Sequence, residues 1–282
     1  MSRPPLSLAI VSGKGGVGKS AVAAALATNA HRHGRKVLAI DVAGGEGLAV
    51  HFGVGSLAFQ PRELRPGLEA LAIDRSKALV EYLQVQMGLP QFATLGPAAR
   101  AFDALAGAAP GIREIVTLGK VLWEVRQGHY DLVVADCLPT GQVSGLLRAP
   151  ATIAELVPTG RVRQQADWMR DLLLDPVAAQ LVLVTVPEEL PVIETEDTLE
   201  YLRTENLIGS HRIIANRVLP ALQSATAGSG LAAEAAALHR SLFSEQQEWL
   251  RRLPPDRTLP YLFGLLTPGE VAARLADEMD RP

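Results

Sequence analysis

Short apolar runs alternate along this chain with longer stretches in which apolar residues recur at helical spacing. Several of the short runs are apolar at every position, which is typical of parallel strands covered on both faces. The alternation predicts an α/β fold with a mainly parallel sheet and crossover helices. Seven strands are expected, at residues 7–11, 36–41, 68–73, 131–136, 179–185, 212–215 and 258–261.

The helical pattern is concentrated between the third and fifth of these strands. Helices are predicted at residues 20–29, 74–87, 97–105, 111–127, 144–174 and 231–253, and residues 221–230 are predicted to form a loose loop. We therefore expect a single domain over residues 1–282, with an inserted helical subdomain formed by about 74–128 and 144–175.

The first strand leads into the octapeptide Gly-Lys-Gly-Gly-Val-Gly-Lys-Ser at residues 13–20. Gly13, Gly18, Lys19 and Ser20 satisfy the phosphate-loop pattern, and the flanking strand and helix are the context that this motif requires. The pattern predicts a three-layer P-loop NTPase that binds ATP and Mg²⁺, with Lys19 against the outer phosphates. The expected nucleotide contacts are Gly13, Lys14, Gly15, Gly16, Val17, Gly18, Lys19, Ser20 and Ala21.

Two further strands are predicted to end in carboxylates beside this loop. The run at residues 131–136 is apolar and ends in Asp136, which is the Walker B pattern. The Ser20 hydroxyl is expected to ligate Mg²⁺ directly, and Asp136 is expected to hold it through water. Asp41 ends the neighbouring strand in the same way.

Composition and charge exclude several classes of function. The 282 residues carry a net charge of −3 and contain no basic block, so binding to nucleic acid has little support. Cys137 is the one cysteine, which leaves no disulfide and no Cys-x-x-Cys metal pair. No apolar run approaches the length of a membrane span, and the first strand begins too early for a signal peptide. We expect a cytoplasmic protein without stable membrane insertion.

The second residue of the loop, Lys14, narrows the class of NTPase. A lysine at this place resembles the deviant phosphate loop of the dimeric ATPases that include MinD, ParA, the nitrogenase iron protein and the arsenite-pump ATPase. In that group the early lysine reaches the phosphates of the facing subunit. The resemblance implies that Lys14 acts in trans, where a cation can stabilise charge on the transferred phosphoryl group.

Several segments resemble, more narrowly, the arsenite-pump and tail-anchored-protein-targeting ATPases (the ArsA/Get type). The resemblance implies a homodimer, or a heterodimer with a related ATPase, that grips Mg-ATP. It also implies that Asn216, with Arg217 beside it, contacts adenine; an asparagine that only caps a turn is the alternative. The matching segments are the D-x-x-P-T-G switch that starts at Asp136, the run 184–195 ending in Glu194-Thr195, the run 216–220, the run 68–83 and Phe52-Gly53.

The first switch of the family is where this sequence departs from the resemblance. The family aspartate that orients or deprotonates the attacking water falls on Ala43, and its asparagine falls on Gly47. Alanine can do neither task, so hydrolysis should be weakened. Asp41 and Glu46 are the candidate catalytic substitutes, although both could be plain loop carboxylates. The chain could then be a non-hydrolysing regulatory subunit of a heterodimeric ATPase.

The helical subdomain of the targeting branch forms a groove for hydrophobic protein clients. The corresponding residues here supply apolar surface, although apolar residues at helical spacing usually face their own core. No arsenite or zinc site is expected, since Cys137 stands alone. A MinD- or ParA-like positioning ATPase, a metal-cluster assembly ATPase and a small-molecule kinase remain alternatives. The candidate groove residues are Met87, Leu89, Phe92, Leu95, Phe102, Leu105, Ile112, Ile115, Val116, Leu118, Val121, Leu122 and Trp123.

Overall fold

The computed structural model describes residues 6–87, 111–222 and 230–281. Within these residues the chain forms one eight-stranded sheet. Its strands are β1 (Leu8–Gly13), β2 (Val37–Asp41), β3 (Arg62–Arg65), β4 (Leu68–Ala72), β5 (Leu132–Asp136), β6 (Ala179–Thr185), β7 (His211–Val218) and β8 (Arg257–Pro260). The spatial order is β3-β4-β2-β5-β1-β6-β7-β8, and all neighbouring pairs are parallel except the antiparallel pair β3–β4.

The described helices connect these strands as the alternating pattern predicts. They are α1 (Lys19–Arg32), α2 (Gly47–His51), α3 (Arg75–Met87), α4 (Ile112–Gln127), α5 (Thr140–Leu156), α6 (Arg161–Leu174), α7 (Glu189–Thr204), α8 (Leu231–Arg252) and α9 (Pro268–Met279).

The two faces of the sheet are covered by separate sets of buried side chains. Leu8 and Ile10 of β1 pack in the cluster on one face, with residues of α3 to α7, whereas Ala9 and Val11 pack on the other face with α1 and α9. Successive side chains of a strand point to opposite faces, so an apolar strand supplies both layers. The result is the predicted α/β fold in three layers.

The seven predicted strands are confirmed, and β3 was missed. Its residues, Arg-Glu-Leu-Arg, are polar and mostly exposed, because the strand forms the edge of the sheet and has no apolar face to signal it. The helical stretch predicted at residues 144–174 is in fact two helices, α5 and α6, separated by a short turn in which Gly160 has a φ of 94°. Helices α2, α7 and α9 were not among the predicted helices, and the helix predicted at 97–105 lies outside the described residues.

The predicted groove residues of α4 face the protein interior. Ile115, Val116 and Leu118 are 6%, 2% and 1% exposed, and Val121 and Leu122 are equally buried. They pack in the core with α3, α5 and α6, so of the two alternatives these residues follow the second: they face their own core and do not line a client groove. Trp123 is partly exposed. The remaining predicted groove side chains lie outside the described part of the structure, namely those of Met87, Leu89, Phe92, Leu95, Phe102, Leu105 and Ile112.

Candidate functional site

The phosphate loop joins the carboxyl end of β1 to the first turn of α1, at the middle of the sheet. Two of its glycines are required by close packing. A Cβ atom on Gly13 would lie 2.0 Å from the carbonyl oxygen of Val184, and one on Gly18, where φ is 92°, would lie 2.6 Å from Nδ2 of Asn216. The loop therefore sits tightly between neighbouring strands, with the exposed Gly15 and Gly16 at its apex.

Both lysines of the loop make contacts within the subunit. The Lys19 ammonium donates a hydrogen bond to the Lys14 carbonyl at 3.2 Å, and the Lys14 ammonium contacts Oε2 of Glu194 at 2.6 Å. Burial lowers the pKa of Lys19, and the nearby carboxylates of Asp136 and Glu194 oppose that shift. The trans position predicted for Lys14 is thus not the one it occupies in this single chain.

Asp136 is the carboxylate best placed for a metal ion. The even-numbered residues of β5 face α1, so its side chain points toward Ser20 at the start of that helix. It is 6% exposed, and its Oδ1 atom is buried without a hydrogen-bond partner. Burial raises the pKa of Asp136 to about 6, the Asp41 charge adds to the effect, and the Ser20 hydrogen bond and Lys19 oppose it. A buried, unpaired carboxylate oxygen near a hydroxyl fits the oxygen ligands that Mg²⁺ prefers.

Asp41 lies beside Asp136 in the sheet, since the two residues are paired in the register of β2 and β5. Its Oδ1 atom accepts hydrogen bonds from the backbone amides of Gly44 and Gly45, at 2.9 and 3.4 Å. Burial raises the pKa of Asp41, and these backbone hydrogen bonds lower it in part. The Asp41 carboxylate therefore fixes the backbone of the first switch loop at Gly44 and Gly45.

The first switch loop itself is open to solvent. Ala43 and Glu46 are exposed, and Glu46 precedes the short helix α2. A Cβ atom on Gly47 would lie 3.0 Å from the Ser20 hydroxyl, so the loop passes close to the predicted metal ligand although it carries no side chain there. Of the two candidate catalytic carboxylates, Asp41 lies at the site and is held by the loop, whereas Glu46 is directed to the surface.

Asn216 reaches the phosphate loop from β7. Its Nδ2 atom donates a hydrogen bond to the Val17 carbonyl at 2.9 Å, and the residue is 4% exposed. Arg217 follows with a φ of 56°, an uncommon left-handed conformation at the irregularity where β7 leaves β8. The Gln246 side chain of α8 holds this turn, because it donates to the Arg217 carbonyl and accepts from the Leu219 amide.

A cavity of about 420 Å³ opens beside the loop, next to Asn216 and Arg217. Gly18 and Ala21 form its inner wall. Its outer wall is a segment that the sequence reading did not assign to the site, namely residues Pro260, Tyr261, Leu262, Leu266, Pro268, Val271 and Leu275. The signal that could have identified α9 is Thr267-Pro-Gly-Glu270, a capping box that the structure forms in full.

Cys137 follows Asp136 and is buried, as the sequence reading expected. It is 5% exposed, and burial raises the pKa of its thiol, with the Asp136 charge adding to the effect. Among the described residues, no group of three His, Cys, Asp or Glu side chains is placed to hold a metal ion. None of the helices in the described ranges is long and apolar enough to cross a bilayer.

The chain is similar to known ATPases. A profile of the anion-transporting ATPase family (ArsA) matches residues 6–167 and 159–235. ATPase BagA of Mycobacterium tuberculosis is 37% identical over 232 residues, which cover 76% of this chain and 66% of that protein. ATPase GET3C of Arabidopsis thaliana is 26% identical over 268 residues, covering 76% and 68%. ATPase get3 of Schizosaccharomyces japonicus is 26% identical over 255 residues, covering 78% and 76%.

The extent of these matches bears on the site. The chain spans slightly less than two thirds of the length of its mycobacterial relative. The family profile includes the phosphate loop, Asp136 and Asn216 and ends at residue 235. The outer wall of the cavity, from Pro260 to Leu275, lies beyond that end.

Proposed function

Because the chain belongs to the anion-transporting ATPase family, we propose that it is a Mg-ATP-dependent switch that pairs with a second copy or a related subunit. The observation that carries the proposal is the meeting of three groups at the carboxyl edge of the sheet: the phosphate loop with Lys19, the Ser20 hydroxyl and the unpaired oxygen of Asp136. Phosphate binding needs the first, and a hard cation needs the other two.

Each residue of the site has a task in this proposal. The backbone amides from Gly13 to Ala21 enclose the phosphates, and Lys19 turns from the Lys14 carbonyl to the outer phosphates. Ser20 and Asp136 would hold Mg²⁺, Asp136 through water, and the bound ion would supply positive charge beside the triphosphate. Asn216 donates a hydrogen bond from Nδ2 to the phosphate loop, and its Oδ1 accepts one from the adenine amino group. Asn216 and Arg217 line the cavity beside the loop, which we call the base cavity because it would hold adenine.

Slow hydrolysis is part of the proposal. The family aspartate falls on Ala43, and Asp41 is already bonded to the amides of Gly44 and Gly45. We therefore give Asp41 a role in shaping the switch loop, and the exposed Glu46 remains the group that a closing loop could bring inward. In this proposal the output of the switch is nucleotide binding and pairing. The whole chain acts as one ATPase domain, and its clients are hydrophobic proteins.

The Ala43→Asp variant tests this reading of the switch. General-base help is worth about 10² to 10⁴ in rate, so the variant should hydrolyse ATP at least tenfold faster than the wild type. Gly45→Asp is the matched control, because it adds the same charge to the same loop two residues away. Binding of Mg-ATP should be lost in Lys19→Ala. Wild-type hydrolysis that Ala43→Asp does not raise, or Mg-ATP binding that survives Lys19→Ala, would contradict the proposal.

A further inference from the structure

The ammonium of Lys14 is held by a residue far away in the sequence. Its Nζ atom lies 2.6 Å from Oε2 of Glu194, on α7, and the side chains are 34% and 33% exposed. A lysine that serves a facing subunit must leave this contact first, because one ammonium cannot occupy both places. Glu194 therefore competes with the phosphates of the facing subunit for the Lys14 ammonium. The ion pair is partly exposed, so a partner subunit could reach it.

The same carboxylate also holds the D-x-x-P-T-G segment that starts at Asp136, which we call the second switch. Its Oε1 atom accepts the hydroxyl hydrogen of Thr140, which is 1% exposed and is the first residue of α5. Thr140 lies four positions after Asp136. Glu194 thus bridges the phosphate loop and the segment that follows the predicted metal ligand.

Lys14 is held at a second point as well. Its carbonyl accepts a hydrogen bond from the Lys19 ammonium at 3.2 Å. A triphosphate in the loop would attract Lys19 away from that carbonyl, because charge-assisted bonds to phosphate are stronger than a bond to a neutral oxygen. Nucleotide binding in one subunit therefore removes one of the two contacts that fix Lys14 in its own loop.

We propose that Glu194 is a positioning residue that retains Lys14 within its own subunit and releases it when a nucleotide-loaded partner competes for it. The inference rests on the proposed pairing around Mg-ATP and adds its regulation. Release of Lys14 leaves Glu194 with Thr140 alone, so the second switch responds to the arrival of the partner. The retention is weak enough to be reversible, since an exposed ion pair biases an equilibrium by about fivefold at most.

Glu194→Gln tests the inference, because it removes the charge and keeps an oxygen for Thr140. Glu196→Gln is the matched control on the same helix; its carboxylate pairs with Arg252 at the surface. The nucleotide-free chain is acetylated briefly with acetic anhydride, and mass spectrometry measures the acetylation rate of the Lys14 ammonium. The exposed Lys77 is the internal reference for that rate. The acetylation rate of Lys14 should be at least threefold higher in Glu194→Gln than in the wild type, and it should not change in Glu196→Gln.

Pairing is measured in parallel by sedimentation velocity in Mg-ATP. A dimer contains two such contacts, each worth about three- to fivefold, so Glu194→Gln should lower the dimer Kd by about 9- to 25-fold while Glu196→Gln leaves it unchanged. Unchanged labelling of Lys14, or an unchanged or raised Kd in Glu194→Gln, overturns the role of Glu194 and leaves the proposed function standing. A wild-type chain that does not pair with itself in Mg-ATP overturns the inference for two copies of this chain and leaves pairing with a related subunit as the proposed function.

Discussion

The side-chain amide of Asn216 donates a hydrogen bond to the Val17 carbonyl at 2.9 Å and so ties β7 to the phosphate loop. The two residues are 199 positions apart in sequence, and Gly18 lies so close that it could not carry a Cβ atom. Asn216 therefore acts on the loop before any base is bound, which the family resemblance alone did not suggest.

Asn216→Ala should accordingly weaken the binding of more than one nucleotide. Loss of a buried hydrogen bond that leaves the Val17 carbonyl unpaired costs about 1–3 kcal/mol, so the Kd for GTP should rise at least fivefold and the Kd for ATP at least as much. Calorimetric titration with both nucleotides measures the two losses. Gln180→Ala, which removes an amide bonded to Ser210 at the other end of the sheet, should change neither. A loss for ATP alone would contradict the loop role.

Asp136 gives the nucleotide-free protein a defined dependence on pH. Its folded pKa of about 6 lies above the usual value of 3.8, so the folded state favours the protonated form. This contribution to stability is complete below about pH 4 and is lost as the pH rises through about 6. The loss is on the order of 3 kcal/mol at most, from roughly two pKa units at about 1.4 kcal/mol each.

Asp136→Asn isolates that contribution, because asparagine keeps the shape and cannot ionise. At pH 7.5 the nucleotide-free variant should be more stable to urea than the wild type by about 1–3 kcal/mol, and the difference should vanish near pH 4. Its Mg-dependent affinity for ATP should fall, which is the usual conflict between stability and function at a site. Equal stability of the two proteins at both pH values would show that the buried carboxylate carries no such penalty.

The sequence predicted those parts of the molecule that local patterns encode. Strands β1, β2 and β5 are buried at every position and end in site residues. Their positions could therefore be predicted from the apolar runs and from the motifs that follow them. The partners of Lys14 and Asn216 could not be predicted, because each bond joins segments nearly 200 residues apart and depends on how β6, β7 and α7 pack. The edge strand β3 was missed because it is short and polar. The outer wall of the cavity beside Asn216 is apolar, and only the packing of α9 against α1 and β8 places it at the site.

A buried charge cluster in the helical layer was missed as well. Lys120 of α4 is 7% exposed and contacts Oε1 of Glu81 at 2.9 Å and Oε1 of Glu124 at 2.7 Å. Its ammonium also lies 4.8 Å from the centre of the Phe59 ring. Helical spacing marked α4 as apolar on one side but did not place the charges against α3.

Lys120→Met should destabilise the chain by about 3–5 kcal/mol, because Glu124 would remain buried without a cation. Urea unfolding followed by circular dichroism measures this change. Lys77→Met, at an exposed position of α3, should have an effect within about 0.5 kcal/mol. Adding Glu124→Gln to Lys120→Met should recover part of the loss, since it removes the unpaired charge. A mild effect of Lys120→Met alone would mean that water reaches the cluster.

Helix α9 forms part of the wall of the cavity beside Asn216, and its first turn depends on Thr267. The Thr267 hydroxyl accepts from the Glu270 amide at 3.3 Å, while the Glu270 carboxylate accepts from the Thr267 amide at 2.8 Å. Thr267→Ala removes one half of this capping box, which is worth about 1 kcal/mol. Amide hydrogen exchange across residues 268–279 should therefore become about fivefold faster, whereas exchange in β1 and β5 should not change.

Thr267→Ala should also weaken ATP binding, because α9 forms one wall of the cavity next to Asn216. Pro268, Val271 and Leu275 line the cavity, so a helix that opens more often should raise the Kd for ATP by about two- to fivefold. The Kd for inorganic triphosphate, which has no base to place against that wall, should stay the same. Thr204→Ala, at the exposed end of α7, is the matched control. If Thr267→Ala weakens ATP and triphosphate equally, α9 supports the phosphate loop through α1 and does not act as the wall of a base site.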